Sequence, residues 1–149
     1  LNRQAFEPII LNNIEHAKRK NKPLTLMLLD IDDFKKVNDT YGHLTGDKVI
    51  QTVANACQIN TRDCDAICRW GGEEFIVLLA DTSIEGAKDV AQRIQASLLT
   101  NNISPKVTMS FGITHYITEE HLDSFLKRAD DALYQAKKNG RNRIEIATV

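Results

Sequence analysis

Apolar residues along the chain fall alternately into helical and extended patterns, with no internal repeat. Phe6, Ile9, Ile10 and Ala17 share one face of an opening helix that ends in the basic, polar stretch 18–23. Residues 24–29 are apolar on both alternating faces, the pattern of a buried strand. Val49, Ile50, Val53, Ala54 and Cys57 form a second helical stripe, and Ile84, Ala87, Ala91, Ile94 and Leu98 a third. Thr82 and Glu85 have the spacing of a capping box for that third helix. Leu122, Phe125, Leu126, Ala129, Leu133 and Ala136 form the last long stripe, which stops where Asn139-Gly140 supplies a left-handed C-cap. Strands are expected over residues 66–70, 74–80, 107–114 and 143–146. Strands separated by helices, plus one tight hairpin, predict an α/β sandwich with helices packed on a mixed sheet.

The 149 residues are expected to form one domain, and a chain of that length buries roughly 70% of its unfolded surface. A composition of 42% hydrophobic and 26% charged residues, with seven Gly and three Pro, excludes disordered and collagenous classes. The longest apolar runs, 26–29 and 75–80, are far short of the ~20 residues that cross a bilayer. A net charge of −1 argues against a nucleic-acid partner held by general phosphate attraction. Cys57, Cys64 and Cys68 form no C-x-x-C pair, so reduced thiols in a cytoplasmic protein are expected. The chain starts at Leu1 without a signal-peptide pattern and reads as a domain of something longer.

Two segments carry candidate chemistry. Gly71-Gly72 joins two extended stretches, and a Gly-Gly pair can adopt the positive φ values of a two-residue I′ or II′ turn. The adjacent carboxylates Glu73 and Glu74 repel one another unless solvent or a cation compensates, so a solvated hairpin tip and a cation site both remain open. The second segment is Asp30-Ile31-Asp32-Asp33-Phe34-Lys35-Lys36, an acidic cluster at the carboxyl end of a buried strand, where open α/β sheets place ligands. Asp32 or Asp33 can N-cap the helix that follows. An EF-hand fails, because Phe34 and Lys35 occupy the positions of a ligand and the turn glycine. A hard oxygen site for Mg²⁺, completed by carboxylates elsewhere and by substrate phosphates, fits Asp30 better.

Arg69-Trp70-Gly71-Gly72-Glu73-Glu74-Phe75, with the run from Asp30 to His43 and Gly46-Asp47 upstream, resembles the GGDEF domain of bacterial diguanylate cyclases. The similarity continues through Lys127-Arg128-Ala129-Asp130 and from Tyr134 to Asn142, and so covers nearly the whole chain. Glu73 stands at the variable third position of the signature, giving a GGEEF variant, and Leu1-Asn2-Arg3 resembles the tail of the family's entry motif.

The resemblance implies a palm-like, nucleotidyl-cyclase or ferredoxin-like mixed sheet flanked by helices, condensing two GTP into cyclic di-GMP and two pyrophosphates. It implies two Mg²⁺ (or Mn²⁺) per site, held by Asp30, the Ile31 carbonyl, Glu73 and Glu74, with Glu73 also accepting the 3′-hydroxyl proton. Lys35, Lys137 and Arg141 would neutralise the departing pyrophosphate. Asn38 and Asp47 resemble guanine readers, with Phe34, His43, Gly71 and Gly72 completing the substrate surface. A carboxylate accepts both the N1 and N2 protons of guanine, and adenine offers neither. Asp47 also suits the N-terminus of the helix that follows it. The resemblance further implies catalysis by a homodimer, an upstream sensory or dimerising module, and product inhibition at an R-x-x-D site. Arg62 and Asp65 stand at that site, with five residues separating Asp65 from Gly71, and Arg93 as a secondary arginine. R-x-x-D is equally the spacing of a surface ion pair. A receptor that binds GTP or cyclic di-GMP without turnover, and a cyclase using ATP, are the competing readings. His16, His115 and His121 have no spacing that suggests a metal.

Overall fold

The structure is a computed structural model that describes residues 2–147. Helix α1 (Arg3–Lys20) leads through a left-handed Asn21 into strand β1 (Leu24–Ile31), followed by helices α2 (Phe34–Tyr41) and α3 (His43–Ile59). Strands β2 (Ala66–Arg69) and β3 (Glu74–Ala80) form the hairpin. Helix α4 (Ile84–Thr100), strand β4 (Met109–His115), helix α5 (Leu122–Lys138) and strand β5 (Ile144–Ile146) complete the chain. The sheet order is β2-β3-β1-β4-β5, antiparallel except for the parallel β4–β5 pair. This is the expected mixed sheet flanked by helices.

β1 is central because it is apolar on both faces. Leu24, Leu26 and Leu28, with Ile76 and Leu78 of β3, pack against Phe6 and Ile10 of α1 and Phe125 of α5. Met27, Leu29 and Ile31, with Val77 and Leu79, face Val49 and Val53 of α3 and Ala91 and Ile94 of α4. A Cβ on Gly112 would strike the backbone of Ala129 and Leu133, so this glycine lets α5 lie directly on β4. The register pairs Asp30 with Glu74 on one side and with Ser110 on the other. Side chains of directly opposed residues share a face, so the even-numbered Asp30 and Glu74 both project toward the α1/α5 layer. No described helix is long and apolar enough to cross a membrane.

Four local expectations are corrected. Ser83, not Thr82, caps α4, its hydroxyl accepting from the Gly86 N–H at 3.2 Å. Thr82 is engaged elsewhere, donating to the Ala80 carbonyl at 2.7 Å and accepting from Arg62 Nη2 at 2.8 Å. Gly71 and Gly72 have no positive φ, and the hairpin is not a two-residue turn. The Trp70 N–H donates to the Glu74 carbonyl at 2.8 Å, leaving Gly71-Gly72-Glu73 as a three-residue connection. Two tethers favour that shape: Arg69 donates to the Gly72 carbonyl (3.1 and 2.7 Å), and the Ile31 N–H donates to that of Glu73 at 3.2 Å. Neither Asp32 nor Asp33 caps α2 with its side chain: Asp33 sits at the cap position with φ +55 and makes no cap bond, and Asp32 is drawn inward by β4. β1 extends two residues beyond 29, to Ile31, because Asp30 and Ile31 still pair with β3 or β4. At the end of α5 it is Gly140 that turns to positive φ, as expected, with the Arg141 N–H donating back to the Ala136 carbonyl at 2.9 Å.

Candidate active site

β1 delivers Asp30 to the carboxyl end of the central strand, and the hairpin loop brings Glu73 beside it. α5 supplies Lys137, its exit supplies Arg141, and α2 supplies Phe34 and Lys35. These residues line one cleft of about 230 Å³ together with Ile31, Asp32 and Asp33. Seven of the expected site residues, spread from 30 to 141, are thus gathered at one edge of the sheet. Glu74 and Gly71 line an adjoining groove of about 410 Å³ with Arg3, Trp70, Lys127 and Asp130.

Electrostatics within the cleft are set first by burial of its carboxylates and then by the charges around them. The Asp30 side chain is only 4% exposed and is hydrogen-bonded by the Lys137 ammonium. Burial pushes its carboxyl up to about 6, Glu73 and Glu74 push the same way, and Lys137 opposes them. Burial also raises the Glu74 carboxyl, with Asp130 and Glu73 adding to the rise and Lys137 and Arg3 working against it. Arg141 lies 3.8 Å from the Asp33 carboxylate, both exposed.

The donors at this edge are hard oxygens with excess negative charge, which suits a divalent cation such as Mg²⁺. Among the described residues, no three carboxylates, imidazoles or thiolates form a ready-made cage. The remaining positions of an octahedral ion would come from water and phosphate, the usual manner of Mg²⁺.

α2 and α3 meet at Gly46, where an added Cβ would collide with Asn38 Oδ1 and lie 3.2 Å from the Phe34 ring. Gly42, at φ +89, makes the turn between the two helices. Asn38 is thereby held half-buried against the start of α3, with His43 and Asp47 exposed on that first stretch.

The R-x-x-D segment is elsewhere. Asp65 accepts from the Arg62 N–H at 2.8 Å and the Ala80 N–H at 3.1 Å, and pairs with the Arg62 guanidinium at 3.2 Å. Arg62 also reaches the Ala80 carbonyl and Thr82, at the end of β3 opposite Glu74. A seven-residue strand spans roughly 20 Å, so this segment stands well away from the carboxylate cleft. Arg93 is exposed on α4 and, among the described residues, is not joined to Arg62 or Asp65 by a hydrogen bond or ion pair.

Three contributors escaped sequence reasoning. Arg69 pins the hairpin loop through the Gly72 carbonyl. The Arg3 guanidinium lies 4.1 Å over the Trp70 ring, which Phe6 meets edge-on. Asp32 is buried by β4 and the α5 exit. Arg69 and Trp70 lie beside the signature, Arg3 in the stretch that resembles the entry motif and Asp32 in the acidic cluster, but none of these local signals gives the partners that the fold supplies.

A family model described as the GGDEF domain of diguanylate cyclases matches residues 1–143. The chain is 42% identical over 143 residues to diguanylate cyclase A of Treponema denticola, covering 92% of this chain and 38% of that protein. The active GGEEF domain of a Vibrio cholerae diguanylate cyclase superposes with a TM-score of 0.93 at 33% identity, covering 100% of this chain and 98% of that one. The GGDEF domain of DgcB from Caulobacter crescentus, solved with c-di-GMP, gives 0.91 at 32% identity, covering 99% and 91%. The chain spans less than half the length of the curated relatives it matches.

Proposed function

Because the chain belongs to the GGDEF domain family of diguanylate cyclases, we propose that it condenses two GTP into cyclic di-GMP and two pyrophosphates. The observation that carries this reading is the single cleft in which buried Asp30 and Glu73 face Lys35, Lys137 and Arg141. Asp30, the Ile31 carbonyl and Glu73, with Glu74 from the adjoining groove, are the residues that would hold two Mg²⁺ or Mn²⁺. When bound, such ions would supply Lewis-acid stabilisation of the charge that develops at the α-phosphate.

The chain's own residues do the rest. Glu73 accepts the proton of a 3′-hydroxyl, whose oxygen bonds to the α-phosphorus of the facing GTP as the bond to the β-phosphate oxygen breaks. Lys35, Lys137 and Arg141 neutralise the pyrophosphate that departs. The bare backbone of Gly71 and Gly72 admits the triphosphate, since a Cβ on Gly72 would meet nothing within 4 Å. Asp47 accepts from guanine N1 and N2, Asn38 reads the same base, and Phe34 and His43 border it. ATP offers neither donor to these acceptors, and the mismatch favours GTP.

One domain presents one GTP, so two copies face each other during the reaction, as a homodimer brought together by whatever module adjoins the domain. Product binds back at Arg62 and Asp65, with Arg93 as the secondary arginine, and slows turnover. Arg62 first has to exchange its contacts to Ala80 and Thr82 for a phosphate or a guanine. The test is cyclic di-GMP formation from GTP and Mg²⁺, with specific activity rising as protein concentration rises. Concentration-independent specific activity from protein that stays monomeric throughout that range would rule out the two-chain reaction.

A further inference from the structure

Asp32 lies at the junction of β1 and α2, one residue from the proposed metal-binding pair, and lines the same cleft, yet its carboxylate is engaged by β4 and the exit of α5. It is 7% exposed and accepts three hydrogen bonds: from Ser110 Oγ at 2.6 Å, Thr108 Oγ1 at 2.6 Å and the backbone N–H of Asn142 at 2.9 Å. With those acceptor positions filled from within the protein, Asp32 has little left to offer an ion. What it fastens is the exit of α5.

That exit is conformationally unusual. Arg141 and Asn142 both have left-handed backbones, φ +64 and +49, directly after Gly140 at +124. Asn tolerates that region, but Arg does not favour it, so such a run persists only where neighbours over-determine it. On the helix side the Arg141 N–H is bonded to the Ala136 carbonyl, and on the strand side the Phe111 N–H is bonded to the Arg143 carbonyl. Asp32 supplies the third tie, to Asn142. Arg141, held between these ties, lines the carboxylate cleft.

We infer that Asp32 is a positioning residue: its bond to the Asn142 N–H fixes the left-handed exit of α5 and so aims Arg141 at the triphosphate. Without it, residues 141–142 relax toward negative φ and the guanidinium swings out of the cleft. The inference rests on the proposed GTP site, and binding can be separated from chemistry with 3′-deoxy-GTP, which lacks the hydroxyl needed for condensation.

The experiment is a double-mutant cycle on the Mg²⁺-dependent affinity for 3′-deoxy-GTP, using wild type, Asp32→Ala, Arg141→Ala and the double variant. The expected result is a loss of about tenfold for Asp32→Ala in the wild-type background, falling below about twofold once Arg141 is already alanine. Asp32→Asn, which keeps an acceptor for the Asn142 N–H, is expected to lose less, and replaces Asp32→Ala in the cycle if that variant does not fold. Equal losses in both backgrounds, or no loss, would overturn the positioning role while leaving the GTP site standing. If Arg141→Ala alone leaves affinity unchanged, both the inference and that part of the proposed site fall.

Discussion

The Lys137 ammonium donates a hydrogen bond to Asp30 across 107 residues of sequence, and it is the positive charge that opposes the burial of that carboxylate. It does not cancel the cost. The Asp30 carboxyl sits at about 6 against an ordinary 3.8, so the native state holds that proton more tightly than the unfolded chain. Keeping Asp30 ionised therefore costs stability above pH 6, and the cost disappears as pH falls toward 4. Asp30→Asn is expected to raise Tm by roughly 3 °C at neutral pH and to lose that advantage in acid, while abolishing turnover. Thermal scans across pH check this, and a Tm gap that stays constant from neutral to acid pH would contradict it.

The same carboxyl sets how metal and protons compete. A cation on Asp30 favours its ionised form, so the acid limb of the pH–rate profile should move to lower pH as Mg²⁺ is raised. A limb that does not move with Mg²⁺ would remove Asp30 from the metal site.

Asp47 is exposed at the start of α3, where its removal disturbs no core contact. Asp47→Ala should leave Tm nearly unchanged and reduce the preference for GTP over ATP by ~100-fold or more in kcat/KM. Inosine triphosphate, which lacks the N2 amine, should discriminate between wild type and variant less than GTP does. Unaltered selectivity would take Asp47 out of the base site.

Arg62 and Asp65 should separate cleanly, although they form one ion pair. The Asp65 side chain is 2% exposed and accepts from two backbone N–H groups, whereas that of Arg62 is 55% exposed. Asp65→Ala removes the acceptor of the exposed Arg62 N–H and of the half-buried Ala80 N–H, and should lower Tm by a few degrees. Arg62→Ala should cost little stability and raise the inhibition constant for cyclic di-GMP by about tenfold or more. An unchanged inhibition constant in Arg62→Ala would remove the proposed inhibitory site.

Much of this architecture is written locally. The doubly apolar β1, the amphipathic stripes of α1, α3, α4 and α5, and the glycine that ends α5 each follow from period and capping rules. Seven of the motif residues also reach one cleft, because β1, the hairpin, α2 and α5 converge at the same end of the sheet. What stayed hidden depends on partners distant in sequence. Asp32 looks like a helix cap until Ser110 and Asn142 arrive from 78 and 110 residues away. Gly71 and Gly72 look like a primed turn until Arg69 and Ile31 claim the carbonyls of Gly72 and Glu73. Thr82 looks like the cap of α4 until Arg62 occupies its hydroxyl.

The central claim is that Glu73 beside Asp30 makes this cleft a site of GTP condensation. The most direct measurement is chromatography of nucleotides after incubating the protein, at high concentration, with GTP and Mg²⁺, alongside Glu73→Gln. The account predicts cyclic di-GMP and pyrophosphate from the wild type, at least ~100-fold less product from the variant, and GTP binding by both. Tight cyclic di-GMP binding without any turnover, persisting when the domain is fused to a dimerising module, would contradict it.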